Sequence, residues 1–495
     1  MIRSAAKRHR PGINILMVLR IIGLLLLVES GFTLLPLLTS VIYGESDTLC
    51  FAITACITFA AGLAMTYFIK PRFPDMGKRE GVLLTSLVWL VFSLFGLIPF
   101  MAGSPHLSFT DAFFDSMSGF TTTGASVLTD ISDVSHGILL WRSLMQWIGG
   151  MGIILFTLAI LPMLNSSGGM QMFNAEVTGI THEKIRPRVS QTAMTLWLCY
   201  IILTVVLTLL LWAGPMNLFD ALCHSFSTMS TGGFTTNPDG INHWHSDYVK
   251  CILTLFMFIG GVNFGTIYKL STGHFRATWQ SEAFRSYVKV VAWATAAVTI
   301  IMLFSGQFRM LGSGVIDTLF QVVSVISSTG FTVSGVEQWG TPVMLIIFLL
   351  MFTGACSGST SGGSKLDRGI FVFKNIGNEI YRVLHPNAVR SVTYNNKVVP
   401  PELVNKVMVF MVIYIASIVL GGFVLMLFGD SMLDSILTSL ACISNADIGI
   451  GLEGFGGNYA SIAAPAKYAM ALLMLIGRLE LFTVLVLFTS SFWKR

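Results

Sequence analysis

Apolar residues recur along this chain in long unbroken runs separated by short polar stretches. A hydrocarbon layer of about 30 Å takes roughly 20 helical residues to cross. Runs of that length predict ten spans, near 13–36, 51–70, 81–102, 136–164, 190–213, 247–270, 286–306, 342–372, 403–428 and 466–490. The first run sits where a signal peptide would. It is too long, lacks a small-residue cleavage site and is followed by more spans, so it reads as a span. Four shorter apolar stretches, too brief to cross, lie in the gaps after the third, fifth, seventh and ninth spans.

Composition supports one membrane-embedded bundle over a string of soluble domains. Of 495 residues 54% are apolar and only 11% charged, whereas a soluble domain is about 25% charged. The net charge of +5 is spread over loops and points to orientation, not to nucleic acid. Arg3, Lys7, Arg8 and Arg10 precede the first span, and Lys70, Arg72, Lys78 and Arg79 follow the second. Lys184, Arg186 and Arg188 come next, then Lys269, Arg276 and Arg285, then Lys365, Arg368, Lys374 and Arg382, and finally Lys494 and Arg495. The alternate gaps hold Arg309 and acids such as Glu45, Asp47, Asp130, Asp133, Asp239, Asp247 and Glu337. Lys and Arg mark cytoplasmic loops, so both termini are expected in the cytoplasm. The seven cysteines form no CxxC pair and mostly lie in apolar runs, where a thiol packs as a small apolar group.

The four short stretches repeat one another at a distance of about 100 residues. They read DAFFDSMSGFTTTGAS from Asp111, DALCHSFSTMSTGGFTT from Asp220, DTLFQVVSVISSTGFTV from Asp317 and DSILTSLACISNADIGIG from Asp434. Gly124, Gly233 and Gly330 each fall 13 positions after the Asp, and Gly449 falls 15 after it, a two-residue excess. Asp capping a short helix would explain one copy, but not four on the same side of the membrane. The expected fold is an all-α membrane protein: two N-terminal spans (1–75), then four span–pore half-helix–filter loop–span repeats (76–182, 183–280, 281–395, 396–495) around a pseudo-fourfold pore.

Irregular backbone survives at membrane depth only where it is buried in protein or lines water. Four such loops about one axis make a ring of carbonyls able to replace the water of a monovalent cation. Each half-helix brings its negative dipole end towards that ring. The candidate ion-binding residues are Thr122, Thr123 and Gly124, then Thr231, Gly232 and Gly233, then Ser328, Thr329 and Gly330, and in the fourth loop Asp447, Ile448 and Gly449. The hydroxyls of Thr123 and Thr329 are further candidate ligands. The first three filters hold no carboxylate, which argues against a divalent-binding acidic ring.

The eighth span contains TGACSGSTSGGS from Thr353 to Ser364. Each Gly costs a helix about 1 kcal/mol relative to Ala, so a mid-membrane break is expected below the third filter. It reads as a gate loop of Gly354, Ala355, Cys356, Ser357, Gly358, Ser359, Thr360, Ser361, Gly362 and Gly363; a flexible packing kink is the alternative. Arg478 lies inside the last span, and an intramembrane charge is costly and usually functional; pairing with Glu480 is its structural alternative. WIGGMGIILF reads as a small-residue packing face, GVNFG at 261–265 as close helix contact, and His224 as a packed or locally bonded histidine.

Several of these stretches together are specific: SMSGFTTTGA, WRSLMQWIGGMGI, HSFSTMSTGGF, FQVVSVISSTGFT, HPNAV and GRLELFTVLVLF. Through them the whole chain resembles the TrkH/KtrB superfamily of potassium transporters, most closely its TrkH branch, which carries the two extra N-terminal spans. The resemblance implies potassium selectivity from a filter glycine in each repeat, with Ser in the first repeat going with sodium permeation. It also implies an intramembrane gate loop with a nearby arginine, a homodimer, and a cytoplasmic ring of TrkA-type nucleotide-binding subunits. No nucleotide fingerprint occurs in this chain, and its only non-protein requirement is the transported potassium ion. Asn445, Ala446 and Asp447 depart from the family's usual Asn-Asn before the fourth-loop glycines. The expected function is gated potassium entry at the bacterial inner membrane, the alternative being symport coupled to sodium or protons. A membrane enzyme would need clustered His, Asp or Glu, and the nine histidines are dispersed.

Overall fold

The computed structural model describes residues 13–71, 76–128, 130–164, 189–306, 311–333, 339–428, 431–449 and 459–494. The basic residues Arg3, Lys7, Arg8, Arg10, Arg72, Lys184, Arg186, Arg188, Arg309 and Arg495, Glu337, and the repeat boundaries at 75 and 182 lie outside them.

Among the described residues the fold is helical, with one two-stranded hairpin. Helices Ile15–Tyr43 and Thr48–Phe68 form an antiparallel pair on the N-terminal side. Gly23 and Gly62 allow it, since a methyl on either would press on the facing helix. Four units follow. Their pore helices are Phe109–Phe120, Leu218–Ser230, Leu311–Ile326 and Met432–Ser444. Each lies between an incoming and an outgoing span. The incoming spans are Lys78–Gly96 with its extension to Ala102, Val189–Trp212, Glu282–Phe304 and Pro401–Met426.

The outgoing spans differ. His136–Leu164 is one helix. The other three are interrupted, and two of the interruptions correct the expected continuous spans. The segment 247–270 is two helices, Asp247–Gly260 and Phe264–Ser271, bent by 110°, and 466–490 bends by 111° after Arg478. The apolar runs on either side outweigh Asn263 at the first bend and Arg478 and Glu480 at the second, so a length-and-hydropathy reading passes over them. The third interruption is the expected one: Thr341–Thr353 ends at the Gly-rich loop, and Leu366–Leu384 resumes beyond it. Among the described residues six helices are long and apolar enough to cross a membrane, or eight if each bent pair counts as one span.

Three pore helices start with a side-chain cap: Ser108, Asn217 and Ser431 accept from the amides of Asp111, Asp220 and Asp434. The repeated Asp thus sits three residues inside the helix, where its charge suits the positive end of the dipole. Asp317 lies deeper in its helix and pairs with Lys250, while Asp111 pairs with Lys467. Both lysines are the fourth residue of an outgoing helix, one following filter 2 and the other filter 4. Each therefore ties the outer end of one repeat to the next.

Candidate functional site

All four pore helices end in a residue of left-handed backbone: Thr122, Thr231, Ser328 and Asn445, with φ of 56°, 57°, 56° and 49°. Each lies 11 positions after the repeated Asp. The chain then turns back outward. Gly124, Gly233 and Gly330 follow two residues later with φ of 90°, 84° and 86°, a conformation that L side chains avoid.

The loops meet one another in sequence order. A methyl on Gly124 would collide with the Gly232 carbonyl oxygen, one on Gly233 with that of Thr329, and one on Gly330 with that of Asp447. The Asp447 amide closes the circuit by donating to the Thr123 carbonyl, 2.9 Å away. The Asn445 side chain donates to Thr123 Oγ1 at 3.0 Å and to the Met474 carbonyl at 2.9 Å. Ten of the twelve filter candidates named from the sequence thus lie in these loops' contacts or directly on their turns; Ile448 is buried beside them, and Gly449 donates its amide to the Asp447 carboxylate. Asp447 takes the position that glycine holds in the other three loops, and the two-residue excess lies beyond it.

Supports stand behind the ring. Gln146, from the helix after filter 1, donates to the Gly232 carbonyl at 2.7 Å and accepts from the Phe234 amide at 3.2 Å. Asp115 accepts from the Val127 amide at 2.8 Å and from the Ser126 hydroxyl. Arg142 donates to the same hydroxyl at 2.8 Å and stacks on Phe234. In the third repeat Gln321, four residues after its Asp as Asp115 is after its own, accepts from the Val333 amide. The Thr123 and Thr329 hydroxyls bond Thr121 and Ser327 within their own loops. His224 bonds the Asp220 carbonyl and packs against Trp244 and Phe331. Sequence reasoning missed Gln146, Gln321 and the Asp115–Arg142 pair, because their partners lie on loops that only folding brings near. The offset of Asn445 from Asp434 was a signal available in the sequence.

Beneath the ring lies the interrupted eighth span. Gly354–Gly363 is mostly buried, and its contacts reach three pore helices. The Gly362 amide donates to Ser328 Oγ at 2.7 Å, and a methyl on Gly362 would strike the Ser444 carbonyl. Thr360 Oγ1 donates towards the Met229 and Gly260 carbonyls, both 3.2 Å away. Ser359 and Ser361 bond each other, and Lys365 caps the Ser361 carbonyl. Cys356 donates its amide to Gly261, and Asn263 holds the Ser357 carbonyl at 2.7 Å. The GVNFG stretch is therefore the break in the sixth span that receives this loop. Gly149 and Gly150 of WIGGMG do pack backbone to backbone, against Phe120 and Ser230.

Arg478 supplies the fourth connection. Its guanidinium donates to the Thr360 carbonyl at 2.9 Å and to the Gly149 carbonyl at 2.8 Å. Glu480 pairs with Arg368, not with Arg478. On the far side of the loop Asp367 accepts from the Ser357 amide at 2.6 Å and from the Tyr394 hydroxyl. Burial, and then the Asp367 charge, push the Tyr394 phenol above its usual range, so it stays a donor. Tyr394 belongs to the hairpin Thr393–Tyr394 and Lys397–Val398, whose turn residues Asn395 and Asn396 both have positive φ.

Comparison with known proteins agrees with this architecture. Residues 49–495 match the family model TrkH, described as a cation transport protein. The chain belongs to the TrkH family. It is 37% identical to the Trk system potassium uptake protein TrkH of Salmonella typhimurium over 96% of this chain and 98% of that protein. It is 35% identical to the protein of the same name from Halomonas elongata, over 97% and 99%. The crystal structure of the potassium transporter TrkH from Vibrio parahaemolyticus superposes with a TM-score of 0.88, at 30% identity, over 97% of this chain and all of that one. TrkH relatives are thus potassium uptake proteins, and this chain is a membrane protein of their transport family.

Proposed function

We propose that this chain is the potassium-conducting subunit of a Trk-type uptake system in the bacterial inner membrane, with both termini cytoplasmic. The observation that carries the reading is the closed circuit of four filter loops around Gly124, Gly233, Gly330 and Asp447. Four polar, side-chain-poor loops in contact at membrane depth supply oxygens in place of hydration water. Filter carbonyls bonded sideways, as at Thr123 and Gly232, keep a second lone pair. Passive entry suffices for accumulation: a potential of 100 mV is worth about 2.3 kcal/mol per charge, while a tenfold gradient costs about 1.4 kcal/mol.

In this reading the loop 354–363 is the gate. It lies against three pore helices, and Arg478 fastens it to the remaining repeat. The loop must leave that position for an ion to pass towards the cytoplasm. The chain works as a homodimer on a cytoplasmic ring of TrkA-type nucleotide-binding subunits, and the basic inner segments around 269–289 and 365–390 are the docking region. The test is rubidium-tracer uptake into a bacterial strain lacking its own potassium uptake systems. Saturable uptake competed by potassium, and little by sodium, is the expected result. No uptake from correctly inserted protein would overturn the reading.

A further inference from the structure

Three quadrants of the filter circuit end in hydrogen where the fourth carries a carboxylate. The left-handed residues fix the register: Thr122, Thr231, Ser328 and Asn445 are equivalent, and two positions on stand Gly124, Gly233, Gly330 and Asp447. The main chain agrees, since the Asp447 carbonyl lies beside Gly330 and its amide is bonded to Thr123. Asp447 is not in the left-handed region that its three counterparts adopt, so an L side chain is admissible there.

That side chain is held in place. Asp447 Oδ1 accepts from the Gly449 amide at 3.0 Å and from the Tyr459 hydroxyl at 2.9 Å. Both donors act on one oxygen; Oδ2 takes no hydrogen bond among the described residues. No lysine or arginine among them forms an ion pair with it. A charge of this kind acts strongly where water is excluded, and carboxylates at a pore attract cations.

We infer that Asp447 is a specificity-determining residue: a fixed negative charge on one quadrant of the filter that strengthens cation entry and admits a potassium-sized divalent ion as a blocker. The inference rests on the proposed conduction path, so wild-type flux is measured first. Purified full-length protein in vesicles would be assayed for rubidium-tracer flux against external rubidium, with and without barium. Asp447→Asn keeps an oxygen to accept from Gly449 and Tyr459 and removes only the charge. It is expected to raise the half-saturating rubidium concentration at least threefold and to weaken barium block at least threefold. Asp447→Ser, another short neutral acceptor, serves with the same expectations where the first variant does not accumulate. Neutral variants that match the wild type in both readouts would make Asp447 a turn-forming residue and overturn the inference. Absence of flux in the wild type would overturn the conduction path, and the inference with it.

Discussion

Gly124 combines two constraints that a side chain breaks separately. Its φ of 90° costs an L residue about 1–3 kcal/mol, and a Cβ there meets the Gly232 carbonyl. Gly124→Ser is therefore expected to insert in the membrane but to distort the contact between loops 1 and 2. The sodium-to-potassium permeability ratio, read from reversal potentials, should rise several-fold; an unchanged ratio would remove Gly124 from the filter. Arg478 is constrained differently, by two charge-assisted bonds to carbonyls 118 and 329 residues away in the chain. Such bonds are worth about 1.5–3 kcal/mol each, and about 1.4 kcal/mol is already a tenfold change in an equilibrium. Arg478→Ala should raise flux about tenfold by freeing the loop. Lys keeps the charge but loses the planar fork, so a comparable rise with Lys identifies an anchor, and wild-type flux with Lys identifies a charge barrier. Equal flux in all three would make Arg478 a packing residue. The sequence marked Arg478 because a charge in an apolar run stands out. Gln146 sits in an apolar run too, but an amide there carries no such alarm, and its partner in loop 2 is 86 residues away.

Among the elements, the pore helices and the Gly-rich loop were readable because both are written as local composition: a short apolar stretch ending in Gly and hydroxyls, and a Gly run no helix tolerates. The bends after Gly260 and Arg478 were not, since neither is preceded by proline and the flanking apolar runs keep the mean hydropathy high across Asn263 and across Arg478 and Glu480. The hairpin at 393–398 escaped for a related reason. Its Asn395–Asn396 turn is a local signal, but its strands are only two residues each, too short for alternation to show. The loop 354–363 is held mainly by bonds to backbone carbonyls and amides, so shortening it by three or four residues should detach it from Ser328 and Thr360 while leaving the flanking helices intact. Vesicles holding the shortened protein are expected to pass tracer rubidium faster than wild type. Equal or slower flux in folded protein would count against a barrier at this place.

For the molecule as a whole, the circuit of loops predicts graded behaviour. Gly→Ser at 124, 233 and 330 touches three separate loop-to-loop contacts, so selectivity should decline in steps as one, two and three glycines are replaced. Permeability ratios for the single, double and triple variants check this. Full loss with any single change, and no further effect of the others, would mean that one loop alone discriminates. The order of the four units was legible, because the repeat recurs about every 100 residues. The register of the fourth unit was missed. Counting to the nearest glycine chose Gly449, whereas the shared offset of 11 positions from the repeated Asp to Thr122, Thr231, Ser328 and Asn445 is what aligns the loops.

Because one chain closes the whole circuit, from Thr123 round to Asp447, each wall of the conduit is inherited by itself. In an assembly of four identical subunits any substitution arrives fourfold, and a blocking loop would have to fit beneath the pore four times over. Here one unit can carry the loop proposed as the gate and another both its fastening Arg478 and the lone carboxylate of Asp447, each without copying its cost to the rest. On the proposed conduction path, the likeness among the units is what ion passage demands, and their differences are free to carry the rest.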